Sequence, residues 1–154
     1  MCIRDSRPAA ANPTDPAAQY QLAVSLLKEG KQEESFNWMK KAADAQYTKA
    51  CNNLGIYYLL GIGTAKSSET GYEYLMKAVS RGDARANFNA AALKLHGIGT
   101  GSDRNKAIDL LTTASRLGNT NASMQLSYDY INGNSSHNVD EAFTALLDIM
   151  LDKK

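Results

Sequence analysis

The chain has 154 residues, 44% of them hydrophobic and 21% charged, which is the composition of a globular domain and not of a disordered segment. Its 17 basic and 16 acidic side chains are interspersed and leave a net charge of +1, so no nucleic-acid partner is predicted. No apolar run approaches the roughly 18 to 20 residues of a membrane-spanning helix, so no membrane span is predicted. Two cysteines, Cys2 and Cys51, provide neither a disulfide framework nor a metal cluster.

Residues 1–14 carry no helical or strand period and are predicted to be irregular. The segment from Met1 to Pro13 resembles translated junction sequence from environmental assemblies, which gives the hypothesis that it is non-native. Under that hypothesis the lack of an apolar signal-peptide core near Met1 does not decide the compartment. The expected location is cytoplasmic or, if an N-terminal signal has been lost, periplasmic or secreted.

From residue 15 onward the sequence repeats itself. The clearest copies begin at Ala50 and Ala86, 36 residues apart, and both contain the phrase Gly-Ile-Gly-Thr. The match continues into a fourth copy at Ala122 and back into a first copy, where Leu22 corresponds to Leu54 and the connection is four residues shorter. Such a period indicates stacked supersecondary units. We predict one domain over 15–154, with four repeats at about 15–47, 48–82, 83–118 and 119–152.

Each repeat is predicted to contain two helices, because apolar residues such as Leu22, Leu26 and Leu27 recur at helical spacing. Asp15 followed by Pro16 suits an N-cap and the first helical position. The predicted helices span about 16–29, 32–45, 49–60, 68–81, 84–96, 103–117, 120–132 and 139–151.

The Gly-Ile-Gly-Thr phrases are predicted to connect the two helices of a repeat. Gly61 and Gly97 can end the first helix in the left-handed conformation, and Gly63 and Gly99 let the chain reverse without a Cβ clash. A phosphate-binding loop is rejected, because the glycines that such a loop needs before Lys66 are absent. No nucleotide or other cofactor is predicted.

The repeat pattern resembles that of a known family. The order A-x-x-x-L-G-x-x-Y-x-x-G-x-G, then a small residue, an aromatic residue and G-x-x-x-A, is similar to the Sel-one-like repeat, a relative of the tetratricopeptide repeat. The resemblance covers roughly 17–151, and Ala90, Lys94 and Ser127 depart from the family pattern. It implies an all-α fold, a right-handed α-solenoid of about four antiparallel helix pairs. It also implies adaptor roles in multiprotein assemblies, bacterial signalling or host contact.

The resemblance implies that the first helix of each pair lines the concave face, and one stripe of these helices is the predicted partner-binding groove. Such a groove could accept an extended peptide or an amphipathic helix, with Lys49 and Arg85 pairing an acidic group or a terminal carboxylate. Alternatively, the apolar members are buried by the curvature of a short solenoid and the two cations are solvated helix starts. The predicted site residues are Tyr20, Leu27, Lys49, Asn52, Ile56, Leu59, Arg85, Phe88, Leu95, His96, Asn121, Met124 and Tyr128.

The leading functional hypothesis is a non-enzymatic adaptor or scaffold that binds a peptide or helix of a partner protein. No catalytic residue and no metal ligand set is predicted, since no serine, histidine and acid set, paired carboxylate or metal-ligand spacing occurs. One alternative is a ligand-binding protein or hydrolase with a groove site around His96 and Cys51. Another is a structural fragment of a longer array, or a homo-oligomer formed through the apolar face of the C-terminal helix, 139–151.

Overall fold

The computed structural model describes residues 14–118, and six helices fill most of this range. Every one of them agrees with its predicted bounds to within one residue at either end, and no strand occurs between residues 14 and 118. The predicted irregular N-terminal segment, the fourth repeat and the C-terminal helix lie outside the described residues. The helices are α1 Pro16–Lys28, α2 Gln32–Asp44, α3 Thr48–Leu60, α4 Ser68–Ser80, α5 Ala84–His96 and α6 Arg104–Arg116.

The helices associate in pairs, and the pairs stack in chain order. The helices α1 and α2, α3 and α4, and α5 and α6 form the pairs, while α2 contacts α3 and α4 contacts α5 to join one pair to the next. Each middle helix is thereby covered on more than one side by its neighbours. The predicted all-α solenoid of helix pairs is confirmed for the described part of the chain.

Side-chain caps begin four of the six described helices, including α1 with the predicted Asp15 and Pro16. The carboxylate of Asp15 accepts from the backbone N–H of Ala18 at 3.1 Å, and Pro16 occupies the first helical position of α1. At the start of α4 the hydroxyl of Ser67 accepts from the Thr70 N–H at 3.3 Å. These bonds satisfy backbone donors that a helix start leaves without an intrahelical partner, so the boundaries are encoded locally.

The second glycine of each Gly-Ile-Gly-Thr phrase contacts the preceding repeat. A Cβ added to Gly63 would overlap the Gln32 carbonyl oxygen and lie 2.7 Å from the Phe36 Cβ, and one added to Gly99 would overlap the Ser68 carbonyl oxygen. Gln32 and Ser68 are the first residues of α2 and α4, and both glycines also have a positive φ of 70°. These glycines therefore serve repeat stacking as well as the predicted chain reversal.

Within the first two pairs, small residues permit close helix contact. A Cβ on Gly55 of α3 would lie 2.9 Å from the Gly71 carbonyl oxygen of α4. In the first pair, the hydroxyl of Ser35 donates to the Ala23 carbonyl oxygen at 2.6 Å. Because that hydroxyl has one proton, the Tyr57 O–H is the donor in its 2.7 Å contact with the Ser35 oxygen.

We expect Gly99→Ala to destabilise the protein more than Gly82→Ala. Gly82 also has a positive φ, 81°, but a Cβ there would meet nothing within 4 Å. Gly82→Ala should therefore cost only the left-handed penalty of about 1 to 2 kcal/mol. Gly99→Ala should add the clash with α4, about 1 to 3 kcal/mol more. Urea unfolding followed by circular dichroism measures both, and equal losses would contradict the role of Gly99 in stacking.

We expect stability to fall above pH 10 partly through Tyr57. Burial raises the pKa of Tyr57 to about 12, against an ordinary value of 10.0. Because folding favours the neutral phenol, this contribution is complete below pH 10 and is lost as the pH rises toward 12. Between pH 10 and 12 the unfolding free energy of Tyr57→Phe should therefore fall less steeply than that of the unmodified protein. The difference in slope should reach up to about 1.4 kcal/mol per pH unit. Parallel curves for the two proteins would contradict this assignment.

Candidate partner-binding cleft

A cleft of about 470 Å³ opens along the first helices of the three described repeats. One wall is α1, another is the first part of α3, and the third is the start of α5. We call it the first-helix cleft. It is lined by Tyr20, Gln21, Val24, Lys28, Lys49, Asn52, Asn53, Asp83, Ala84 and Arg85.

The wall formed by α1 is a single stripe of that helix. Tyr20, Val24 and Lys28 are four residues apart, so their side chains lie above one another on one face. The ring of Tyr20 packs against that of Tyr47, with 5.4 Å between the ring centroids. This contact fixes the Tyr20 end of the stripe beside the residue that precedes α3.

Side-chain amides form the floor of the cleft and connect three helices. The amide of Asn53 donates to the Tyr20 hydroxyl at 3.4 Å, and that of Asn52 donates to the Asn53 oxygen at 3.3 Å. From α5, the amide of Asn89 donates to the Asn52 oxygen at 2.9 Å. All three asparagines are buried, so these bonds stabilise the floor in a fixed arrangement.

The amides also follow the repeat register. Gln21, Asn53 and Asn89 occupy equivalent positions in the three repeats, the last two being 36 residues apart. Asn53 and Asn89 were not among the predicted site residues, although this recurrence was the signal that could have identified them. The oxygen of Asn89 is buried and accepts no hydrogen bond from any described residue.

The cleft has three cationic side chains and one carboxylate. Lys28, Lys49 and Arg85 are exposed, whereas Asp83 is half-buried and accepts from the Ala86 N–H at 2.8 Å as the N-cap of α5. Burial raises the pKa of Asp83, and the Ala86 N–H, Arg85 and Lys49 oppose that shift. The cleft therefore has a surplus of positive charge at neutral pH.

Burial also affects the phenol at the opposite wall. It raises the pKa of Tyr20, while the hydrogen bond from Asn53 and the charge of Arg85 lower it in part. The hydroxyl of Tyr20 is therefore a neutral phenol over the physiological pH range. Tyr20, Asp83 and Arg85 line the same cleft, so the start of α5 lies near Tyr20 in the folded chain.

The structure brings four of the predicted site residues together in the cleft, namely Tyr20, Lys49, Asn52 and Arg85. Leu27 and Leu95 are half-buried and pack against the hydrophobic core. His96 is exposed in the last turn of α5, where a cation is favourable for the helix dipole. The remaining predicted residues of the fourth repeat lie outside the described range: Asn121, Met124 and Tyr128.

Three predicted groove residues are buried in the core instead of exposed in a groove. Ile56, Leu59 and Phe88 have exposed fractions of 0%, 3% and 2%. The physical reason is the stacking of α2 and α4 around α3, and of α4 and α6 around α5, which leaves little free surface on these helices. For these three side chains, the alternative interpretation of burial within the solenoid is correct.

The alternative hydrolase site around Cys51 and His96 finds no support at Cys51. The thiol of Cys51 is buried, donates to the Ala43 carbonyl oxygen at 3.7 Å and has a pKa that burial raises. A raised pKa disfavours the thiolate, which is the nucleophilic form.

Among residues 14–118, no group of three or more histidine, cysteine or acidic side chains is placed to hold a metal ion. None of the described helices combines the length and apolar character needed to cross a bilayer.

Comparison with protein families places a repeat model on most of the chain. The model described as the Sel1 repeat matches residues 16–47, 48–83 and 84–119. No curated protein sequence matches the chain. The three matched segments each contain one of the helix pairs that the structure describes.

Several solved structures resemble this chain, including the following three. A Sel1 repeat protein from Oxalobacter formigenes is 31% identical, with a TM-score of 0.65 over 77% of this chain and 50% of that one. The protective antigen c5321 of uropathogenic Escherichia coli, which displays an SLR fold, is 23% identical, with a TM-score of 0.71 over 90% of this chain and 30% of that one. Helicobacter pylori cysteine rich protein B is 21% identical, with a TM-score of 0.60 over 68% and 79%. The E. coli and H. pylori proteins are less than 25% identical to this chain and show the fold alone. This chain spans half or less of the length of the O. formigenes and E. coli proteins.

We expect Phe88→Ala and Arg85→Ala to separate core from surface on one helix. Phe88 is buried, so its truncation should lower the free energy of unfolding by about 3 to 5 kcal/mol. Arg85, one turn earlier and exposed, should change it by no more than about 0.5 kcal/mol. Chemical unfolding of the two variants tests this, and a loss below 1 kcal/mol for Phe88→Ala would contradict the core assignment.

Proposed function

The chain belongs to the Sel1 repeat family, and from that membership we propose that it binds an extended segment of a partner protein in the first-helix cleft. The Sel1 fold commonly serves as a protein-interaction scaffold, and the family is generally non-enzymatic. The proposal makes the chain an adaptor whose binding site combines side chains from successive repeats. No cofactor or metal is needed for this role.

The observation that carries the proposal is the cleft itself. Its volume of about 470 Å³ lies within the range of roughly 300 to 1,000 Å³ that is typical of ligand pockets. Its walls come from three repeats, so a bound segment would contact α1, α3 and α5 together. The hydrogen bonds from Asn89 to Asn52 and from Asn53 to Tyr20 hold those three helices in a fixed arrangement before any partner binds.

The chemistry of the lining favours an extended peptide over an amphipathic helix. A bound helix would need a row of exposed apolar anchors, but Ile56, Leu59 and Phe88 are buried in the core. The cleft offers mainly amides and charged groups, with Val24 and Ala84 as small apolar contacts. Such groups can satisfy the exposed backbone N–H and C=O groups of an extended segment.

The described residues do not test the two other structural hypotheses, a homo-oligomer and a longer repeat array. A homo-oligomer through the helix predicted at 139–151 involves residues outside the described range. Membership in a longer array stays a prediction as well; this chain spans 50% of the Oxalobacter formigenes protein and 30% of c5321. The peptide proposal depends on neither.

We expect Gln21→Trp to abolish peptide binding in the cleft. Gln21 is exposed on α1 and lines the cleft, so an indole at this position should occupy the space without disturbing the core. The protein would be immobilised and used to select binders from a random-peptide display library. Selected peptides should then bind the Gln21→Trp variant at least about tenfold more weakly, the loss of about 1.4 kcal/mol expected when access is blocked.

The matched control is Asn37→Trp. Asn37 is exposed on α2 and does not line the cleft, so this variant adds the same side chain elsewhere. It should bind the selected peptides as the unmodified protein does, and circular dichroism should show equal helix content for all three proteins. If no selected peptide distinguishes Gln21→Trp from Asn37→Trp, the first-helix cleft is not the binding site.

A further inference from the structure

The cations of the first-helix cleft are concentrated at its two ends. Lys28 is the last residue of α1, whereas Lys49 and Arg85 lie in the first turns of α3 and α5. The ring of Tyr20 packs against that of Tyr47, which precedes α3, and its hydroxyl accepts from Asn53 in the second turn of α3 at 3.4 Å, so Tyr20 lies beside the first two turns of α3. Lys49 and Arg85 therefore lie at the Tyr20 end of the cleft, and Lys28 lies at the other end.

The helix itself gives the separation of these ends. Eight residues of α1 separate Tyr20 from Lys28, and at about 1.5 Å per residue they span about 12 Å. All of the intervening lining residues of α1 are uncharged. A ligand lying along α1 would thus meet positive charge at both ends of a span of about 12 Å and neutral groups between them.

Only one carboxylate of the cleft lining opposes these cations. Asp83 lies at the Tyr20 end and is already engaged with the Ala86 N–H as the cap of α5. Two cations face this single anion there, and no acidic residue lines the Lys28 end of the cleft. The charge complement of the cleft is therefore a ligand with one negative group near each end.

We infer that the cleft recognises an acidic peptide segment with two carboxylate side chains four residues apart. The inference rests on the proposed peptide-binding function and names the chemistry of its ligand. In an extended chain each residue advances about 3.3 to 3.6 Å, so four residues span about 13 to 14 Å. Side chains at positions i and i+4 also point to the same side of the chain. One carboxylate pairs with Lys49 and Arg85, and the other pairs with Lys28.

The test uses labelled nine-residue synthetic peptides with acetylated and amidated ends and fluorescence anisotropy. The first peptide has glutamates at its third and seventh positions, the second at its third and sixth, and the third has glutamine at both. The first should bind tightest and the second more weakly, because residues three apart point to opposite sides of an extended chain. Affinity for the first should fall as salt is raised from 0.1 to 1 M, where the screening length drops from about 10 Å to about 3 Å.

Single substitutions on the protein assign each end. Lys28→Gln and Lys49→Gln should each weaken binding of the first peptide by about two- to fivefold, the range for exposed ion pairs. Asp83→Asn should strengthen it by a similar factor, because asparagine retains the helix cap but removes the opposing charge. The control is Lys106→Gln, an exposed lysine of α6 that does not line the cleft, which should leave affinity unchanged.

The outcomes separate this inference from the proposed function. If the glutamine peptide binds as tightly as the first, and Gln21→Trp abolishes binding of both, the peptide site stands and the acidic specificity is wrong. If a glutamine peptide with a free terminal carboxylate matches the first peptide, the specificity belongs to a chain terminus and the spacing of four is overturned. If Gln21→Trp leaves the binding of every peptide unchanged, both proposals fail together.

Discussion

The stacking of one repeat on the next depends on backbone contacts that are too close to admit a side chain. Gly63 and Gly99 place the loop of one repeat directly on the first residue of the second helix in the repeat before it. Gly55 and Gly71 likewise bring the backbones of α3 and α4, the two helices of one repeat, close together. A solenoid lacks contacts between distant repeats, so its rigidity comes from such neighbour contacts.

Close stacking also determines the chemistry of the binding surface. When α3 and α5 are enclosed by α2, α4 and α6, most of their apolar side chains enter the core, and the cleft borders only the first two turns of each. The first two turns of these helices carry Lys49, Arg85 and the buried amides, so the part of them that faces the cleft is polar. The cleft is thus a consequence of the packing that makes the fold stable.

Local signals explain why the helices could be predicted from the sequence and part of the site could not. Caps such as Asp15 with Pro16 act within a few residues, so they can be recognised in sequence, and the six described helices agree with expectation. Burial is set by neighbouring repeats, and α3 is apolar or small on almost every side, which leaves its exposed stripe undefined by periodicity. Ile56, which was expected in a groove, is therefore buried in the core, whereas Lys49 at an open helix start lines the cleft.

Asp83 links the architecture to the recognition chemistry. Its carboxylate begins α5 by accepting from Ala86, and the same group lies among the cations at one end of the cleft. Asparagine or serine at this position could also accept the hydrogen bond that begins α5. The choice of aspartate therefore adds a negative charge at the N-terminus of α5, beside Lys49 and Arg85. Because it opposes those cations, this charge moderates the attraction of the cleft for an anion while leaving the positive surplus in place.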